Sequence, residues 1–305
     1  MNHIKLQAYG KINLSLDVLR QRPNGYHDVR MIMQTVKLHD NIDMERIDTP
    51  GIVLKTNLPF LPVNENNLMY RAAKMLMDEF HLEGGVRMSL RKVIPVAAGM
   101  AGGSADAAAV LYGMNRLFNL RLSIEELKKR GVQLGADIPF CLMRGTALSE
   151  GIGEILTPLS ALPACSIVLA KPAISVSTKA VYENLHVNTL PAEAHPDVDQ
   201  VIEALKARDV RAVAGQMGNI LETVTSRQHP EIDAIKERMM ALGALNAMMS
   251  GSGPTVFGLF DDPEKAQACY QALLSAKESG LAKQVYLTEP WRKPSRTSPS
   301  RPARL

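Results

Sequence analysis

The sequence predicts an α+β fold in two domains. Its 305 residues amount to about two domains of ordinary size. Segments with strand periodicity cluster early, and the helical ones of that half follow them. The regular strand–helix alternation of a parallel sheet is missing, as are internal repeats.

The elements follow from periodicity. Residues 4–18 alternate: Ile12, Leu14, Leu16 and Val18 point one way, Lys11, Asn13, Ser15 and Asp17 the other. A Pro23-Asn24-Gly25 turn leads to a second strand over Val29–Leu38. "ENNLMYRAAKMLMDEF" has helical spacing through Leu68, Ala72, Met75, Leu76 and Phe80. "GVRMSLRKVIP" alternates again, with Val86, Met88 and Leu90 inward. "SADAAAVLYGMNRLF" predicts a helix with an apolar stripe of Val110, Leu111, Met114 and Leu117. Ser123 followed by Glu126 marks a capping box and another helix start. Beyond residue 160 come a strand ("CSIVLAKP"), several helices, a strand pair around "AMMSGSGPTVFGLF", a helix and a last strand, "KQVYLTEP".

Composition narrows the class. The chain is 46% hydrophobic and 22% charged, as soluble globular proteins are, and no apolar run is long enough to span a bilayer. The N-terminus shows no secretory pattern. Cys141, Cys165 and Cys269 are scattered, with neither metal-ligand spacing nor a disulfide framework, so a cytoplasmic location is expected. The net charge of +4 resides in the tail: residues 291–305 carry Lys293 and four arginines and no acid. Removing that +5 leaves −1 for the body. The tail is expected to be disordered and solvated, and nucleic acid is not an expected partner.

The chemistry concentrates in "PVAAGMAGGSADAAAVL", residues 95–111. Small residues between a strand and a helix N-terminus leave backbone N–H groups open to an anion, and the helix dipole favours one there. The loop is neither a Walker A motif nor a Rossmann fingerprint. Small residues also permit close helix–sheet packing, so the loop alone leaves both readings open. Glycines recur at Ser250-Gly251-Ser252-Gly253-Pro254, either as further donors or as a tight hairpin turn. Asp137, in "LGADIPF", is either a helix N-cap or a catalytic carboxylate.

Together these motifs resemble the GHMP kinase superfamily, the group of galactokinase, homoserine kinase and mevalonate kinase. The resemblance rests on the Lys11 strand, the Pro-x-x-x-Gly-x-x-Gly-Gly-Ser loop and the Gly-Ser-Gly-Pro turn, and covers residues 5–260. "AYGKINLSLDVL", "RPNGYHDV", "LGADIPF" and "EGIGEILTPL" carry a finer resemblance. It implies an alcohol kinase acting on a cytidine-diphosphate-linked polyol of non-mevalonate isoprenoid synthesis. It also implies an ATP/Mg²⁺ loop domain over 1–158, an α+β domain over 159–290 and a tail over 291–305. ATP would lie on Pro95, Val96, Ala97, Ala98, Gly99, Met100, Ala101, Gly102, Gly103, Ser104 and Ala105, with Asn67 and Lys92 near the adenosine. Mg²⁺ would be held by ATP's phosphates, with Ser104 nearby and no dedicated protein cage. Asp137 would be the base, with Lys11 beside it holding it ionised. Asn13, Tyr26, His27, Thr178 and Tyr182 would bind the second substrate, Tyr26 and Tyr182 sandwiching the cytosine.

Two loop positions depart from the family pattern: Ala97 and Ala101 stand where glycine is frequent, so the backbone there is expected to do without positive φ. Gly103 is expected to be a crowded position. The resemblance implies a monomer or homodimer with no membrane or nucleic-acid partner. The rival readings are another GHMP kinase acting on homoserine or mevalonate, an inactive GHMP fold used for binding, and an RNA-binding protein working through its tail. Tyr26 and His27 argue against the first, and Lys11 with Asp137 against the second.

Overall fold

In the computed structural model, residues 1–275 and 280–293 are described. β1 (His3–Gln21) and β2 (His27–Ile47) form a long antiparallel hairpin. Its turn needs a left-handed residue, and Gly25 supplies it at φ 84°. β2 runs well past Leu38, because Ile42 and Met44 continue the buried alternation. β3 (Gly51–Thr56) and β4 (Gly85–Arg91) extend one side of the sheet, in the order β3-β4-β2-β1. β5 (Thr146–Glu150) pairs with β2 over Met31–Gln34, and β6 (Ile155–Pro158) pairs with β5. β3, β5 and β6 lie where the sequence reading assigned no strand. They are short, and their neighbours in the sheet create them more than their own pattern does.

One face of this sheet is covered by α1 (Leu68–Glu79), α2 (Gly102–Leu117), α3 (Ile124–Leu134) and α4 (Ile138–Met143). Leu6, Ile42, Met44, Val86 and Met88 meet Met69, Leu76, Ala107, Leu111 and Leu127 there in one buried cluster. Alanines in the first turns of α2 let it approach closely. The Ser123 capping box forms as expected: the serine side chain accepts from the Glu126 N–H and the Glu126 carboxylate accepts from the Ser123 N–H.

The second sheet has the order β11-β7-β10-β9: β7 (Ser166–Lys171), β9 (Asn246–Met249), β10 (Val256–Phe260) and β11 (Gln284–Thr288). Its Ile167, Leu169, Met248, Phe257 and Leu259 pack with Ile12, Leu14, Ile32 and Val36 of the first sheet and with α6 (Val198–Ala207) and α7 (Val210–Gln216). β8 (Gly218–Asn219), parallel to β1, and α8 (Glu222–Gln228) lead to α9 (Glu231–Ala241), which with α10 (Pro263–Ser275) backs the second sheet's other face. Both faces of β1 are therefore buried, and the polar row Lys11, Asn13, Ser15, Asp17 is enclosed rather than solvated.

The first residue of the expected tail, Trp291, is packed against the body. The Trp291 N–H donates to the Thr35 carbonyl at 2.8 Å, and its ring lies 5.8 Å from the Arg144 guanidinium. The rest of the expected tail, 294–305, lies outside the described residues. Among the described residues no helix is long and apolar enough to cross a membrane.

Ser123→Ala removes one side of the capping box. It should lower stability by about 1 kcal/mol in a urea titration. An unchanged midpoint shows that α3 does not depend on its cap.

Candidate active site

The loop between β4 and α2 has left-handed residues at every second position: φ is 50° at Ala97, 70° at Gly99 and 54° at Ala101. This corrects the expectation that the two alanines avoid positive φ. Alternating hand turns successive N–H groups to one side and builds an anion-binding concavity. Three successive carbonyls are drawn away from it. Gly99 O accepts from the Ser250 hydroxyl at 3.0 Å, Met100 O from the Lys11 N–H at 3.1 Å, and Ala101 O from the Ala105 N–H at 2.8 Å. α2 begins at Gly102, ahead of the expected start, and Ala101 gives it no side-chain cap. Its first N–H groups are left for a ligand.

Crowding in the loop falls on Gly99 and Gly102, not on Gly103. A methyl on Gly99 would lie 2.0 Å from the Ser250 carbonyl oxygen, and one on Gly102 2.9 Å from Lys92 Nζ. A methyl on Gly103 would meet only Leu68, at 3.6 Å. Ser250 opens the glycine turn between β9 and β10, so that turn is the second wall of the loop. The buried Asn219 holds it, donating to the carbonyls of Met249 at 2.9 Å and Gly251 at 2.8 Å.

Loop and turn border one cavity of about 1030 Å³. Lys11 and Asp137 both line it. The β1–β2 pairing is interrupted between Tyr9 and Lys11, which frees the Lys11 N–H for the loop. Lys11 Nζ donates to Asn13 Oδ1 at 2.7 Å, and Asn13 lies behind the wall. No carboxylate of the described residues lies within 4.0 Å of Lys11 Nζ, so Lys11 and Asp137 face the cavity without a mutual ion pair. Asp137 occupies the N-cap position of α4 but caps nothing with its side chain. Its carboxylate is left for chemistry.

Tyr26, His27, Thr178 and Tyr182 line the same cavity. His27, not Tyr26, packs on Tyr182, with ring centroids 5.1 Å apart and planes tilted by 44°. Tyr26 stands at the rim, 60% exposed. The expected Tyr26–Tyr182 sandwich is not formed in this structure. Burial lowers the His27 pKa, so the ring stays neutral and can both donate and accept. Burial and the charge of Asp137 push the Tyr182 hydroxyl up. Ser177, not Thr178, caps α5 (Thr178–Glu183); the Thr178 hydroxyl instead bonds the Ser252 hydroxyl at 2.8 Å.

Of the expected nucleotide residues, Pro95 to Gly99 and Ala101 to Ser104 line the cavity, whereas Met100 and Ala105 are buried behind it. Asn67 lines it too, but its side chain is engaged: it caps α1 through the Met69 N–H and donates to Pro62 O. The Lys92 ammonium is committed to Asp40 Oδ2 at 2.6 Å and Asp106 Oδ2 at 2.5 Å. Burial works against its charge, but the two carboxylates outweigh burial and raise the Lys92 pKa. The Asp106 carboxyl is pushed up by burial and by Asp40, against the pull of Lys92. Nothing in the sequence pattern singles out Asp40 or Asn219, and Ser250 is visible there only as part of a glycine turn, not as a side-chain donor. Asp106 left a signal, as a lone acid within an alanine run.

The fold and this loop define a GHMP kinase, and the chain belongs to that family. The GHMP kinase N-terminal domain matches residues 67–145 and the GHMP kinase C-terminal domain residues 191–279. The particular kinase follows from the relatives. The chain is 57% identical to the 4-diphosphocytidyl-2-C-methyl-D-erythritol kinase of Lachnospira eligens, over 95% of this chain and 99% of that one. It is 47% identical to the enzyme of that name from Alkaliphilus metalliredigens, over 95% and 97%. A crystal structure of 4-(cytidine 5'-diphospho)-2C-methyl-D-erythritol kinase superposes with a TM-score of 0.79 at 31% identity, covering 95% of this chain and all of that one. Homoserine kinase from Cytophaga hutchinsonii shares the fold, with a TM-score of 0.76 at 22% identity over 94% and 95%.

Gly99→Ala should lower stability by more than about 1 kcal/mol, the cost of the left-handed backbone alone. Ala101→Gly removes only a strained methyl and should not lower it. Urea midpoints compare the two. Equal midpoints for Gly99→Ala and wild type show that the loop is not pressed against the Ser250 turn.

Proposed function

We propose that this chain transfers the γ-phosphoryl group of ATP to a hydroxyl of 4-diphosphocytidyl-2-C-methyl-D-erythritol, giving the 2-phosphate and ADP. One observation carries the reading: a single cavity joins a loop with left-handed residues at 97, 99 and 101, a lysine, an aspartate that caps no helix with its side chain, and the rings of Tyr26, His27 and Tyr182. Phosphoryl transfer asks the protein for positioning and charge stabilisation, and these groups supply both.

In this reading Pro95–Ala105 and the N-terminus of α2 hold the ATP phosphates, with Asn67 and Lys92 flanking the nucleotide. Mg²⁺, held mainly through ATP with Ser104 nearby, would neutralise charge that develops on the phosphates. Ser104 is an oxygen donor on the wall of that cavity and fits such an ion. Asp137 accepts the proton of the substrate hydroxyl. Lys11, oriented by Asn13, stabilises the transferring phosphoryl. The cytosine lies at the His27–Tyr182 end, with Tyr26 closing from the rim, and neutral His27 reads the base edge. Thr178 meets the diphosphate or polyol.

We divide the chain functionally into 1–158, which carries loop and base, 159–290, which carries Thr178, Tyr182 and the glycine turn, and the tail from 291. A cytoplasmic monomer or homodimer is part of the same proposal. Three free, buried cysteines support its cytoplasmic part.

Asp137→Asn keeps shape and removes the base. It should cut kcat about 10²- to 10⁴-fold while ATP still binds. Turnover near the wild-type level, measured as coupled ADP release, takes Asp137 out of that role. Lys11→Ala should likewise lose kcat more than ATP affinity. The same assay with homoserine and mevalonate separates this reading from its relatives.

Tyr26→Ala should raise KM for the cytidine substrate about tenfold, since stacking one base is worth about 1–3 kcal/mol. ATP affinity should not move, and Tyr26→Phe should be mild. Damage to ATP binding instead puts the base at the wrong end of the cavity.

A further inference from the structure

We propose that the buried Asp40–Lys92–Asp106 cluster, whose Lys92 and Asp106 also border the cavity, is a positioning device that fixes both ends of the nucleotide loop and so sets its shape. The inference rests on reading residues 95–105 as the ATP site.

The three side chains have 0–4% of their surface exposed. They come from three elements. Asp40 lies in β2, Lys92 follows β4, and Asp106 sits in the second turn of α2. Asp40 grips the start of the loop: its Oδ1 accepts from the N–H groups of Val93 at 2.5 Å and Ile94 at 2.8 Å. Its Oδ2 takes the Lys92 ammonium, and that ammonium reaches across to Asp106, beyond the end of the loop. Both ends of the segment are thus tied to one nitrogen. Gly102 has no side chain because that nitrogen occupies the space.

The backbone just ahead of the loop is held as fully. The Asn57 side chain accepts from the Lys92 N–H at 2.7 Å and donates to the Lys92 carbonyl at 3.2 Å. The Tyr286 hydroxyl, from the second sheet, donates to the Val93 carbonyl at 2.9 Å. Every peptide N–H and C=O from the Lys92 N–H to the Ile94 N–H therefore has a side-chain partner.

Stability alone does not account for this arrangement. A buried ion cluster contributes little against well-packed apolar side chains of the same volume, whereas losing one member is costly. Asp106 Oδ1 is itself buried with no hydrogen-bond partner. What the cluster adds is a narrow geometry. A loop with left-handed residues at 97, 99 and 101 needs its ends fixed in distance and direction to keep its N–H groups convergent.

The test measures two affinities on each variant. Binding of a non-hydrolysable ATP analogue and, separately, of the cytidine-diphosphate substrate is followed by calorimetry for Asp40→Ala, Asp106→Asn and Tyr286→Phe, with thermal unfolding alongside. In Asp40→Ala the Kd of the ATP analogue should rise about tenfold, or 1.4 kcal/mol, while that of the cytidine substrate stays within about twofold. Asp106→Asn and Tyr286→Phe should shift the same ratio in the same direction by less. KM for ATP should rise with the Kd, and kcat should fall less than kcat/KM. If Asp40→Ala does not fold, the split in the other two variants decides. Folded variants that melt earlier but bind ATP as the wild type does overturn the proposal, as does an equal loss of both ligands. A wild-type protein that binds no ATP analogue overturns the kinase reading and this inference with it.

Discussion

The site depends on one close contact, the approach of Gly99 to the Ser250 turn. A peptide loop carries as many acceptors as donors, so by itself it has no preference for an anion. It gains one only if its carbonyls face away. Here the Ser250 hydroxyl holds the Gly99 carbonyl and the Lys11 N–H holds the next one. Two elements, one from each sheet, engage these acceptors. The price is a residue without a side chain at Gly99, where even a methyl would overlap the Ser250 carbonyl.

That contact explains why the two sheets must meet where they do. The glycine turn joins β9 and β10, and the loop follows β4. Neither borders an anion site without the other. Asn219 fixes the turn, and the Asp40–Lys92–Asp106 cluster fixes the loop. Two charged groups that face the cavity, Lys11 and Asp137, are then left without an ion-pair partner among the described residues. Lys11 is buried with a neutral asparagine, and Asp137 caps no helix with its side chain. An enclosed lysine without a carboxylate is costly in an empty site. An anionic ligand offsets that cost, so the same arrangement that weakens the free protein favours the bound one.

Much of this was legible in the chain. The strand bearing Lys11, the helix after the glycine loop and the capping box at Ser123 follow from period and local chemistry, which involve only neighbouring residues. The short strands β3, β5 and β6 did not, because a strand of four to six residues takes its conformation from the partner it pairs with. Positive φ at Ala97 and Ala101 was also hidden. Alanine tolerates the left-handed region only at a cost, so its sequence argues against a conformation that the surrounding contacts impose.

The sequence by itself determined the class of fold, the family and the residues able to do chemistry. Each of these is written in local pattern: small residues before a helix, a polar face on a strand, an acid before "IPF". Only the tertiary structure decided how those residues are used. Lys92 turned inward to Asp40 and Asp106, which are 52 and 14 positions away. His27 rather than Tyr26 packed on Tyr182. Ser250 reached the loop from 151 positions away. Hydrogen bonds and ion pairs are decided within a few ångströms, and no spacing along the chain reports which distant groups the packed layers bring to that distance.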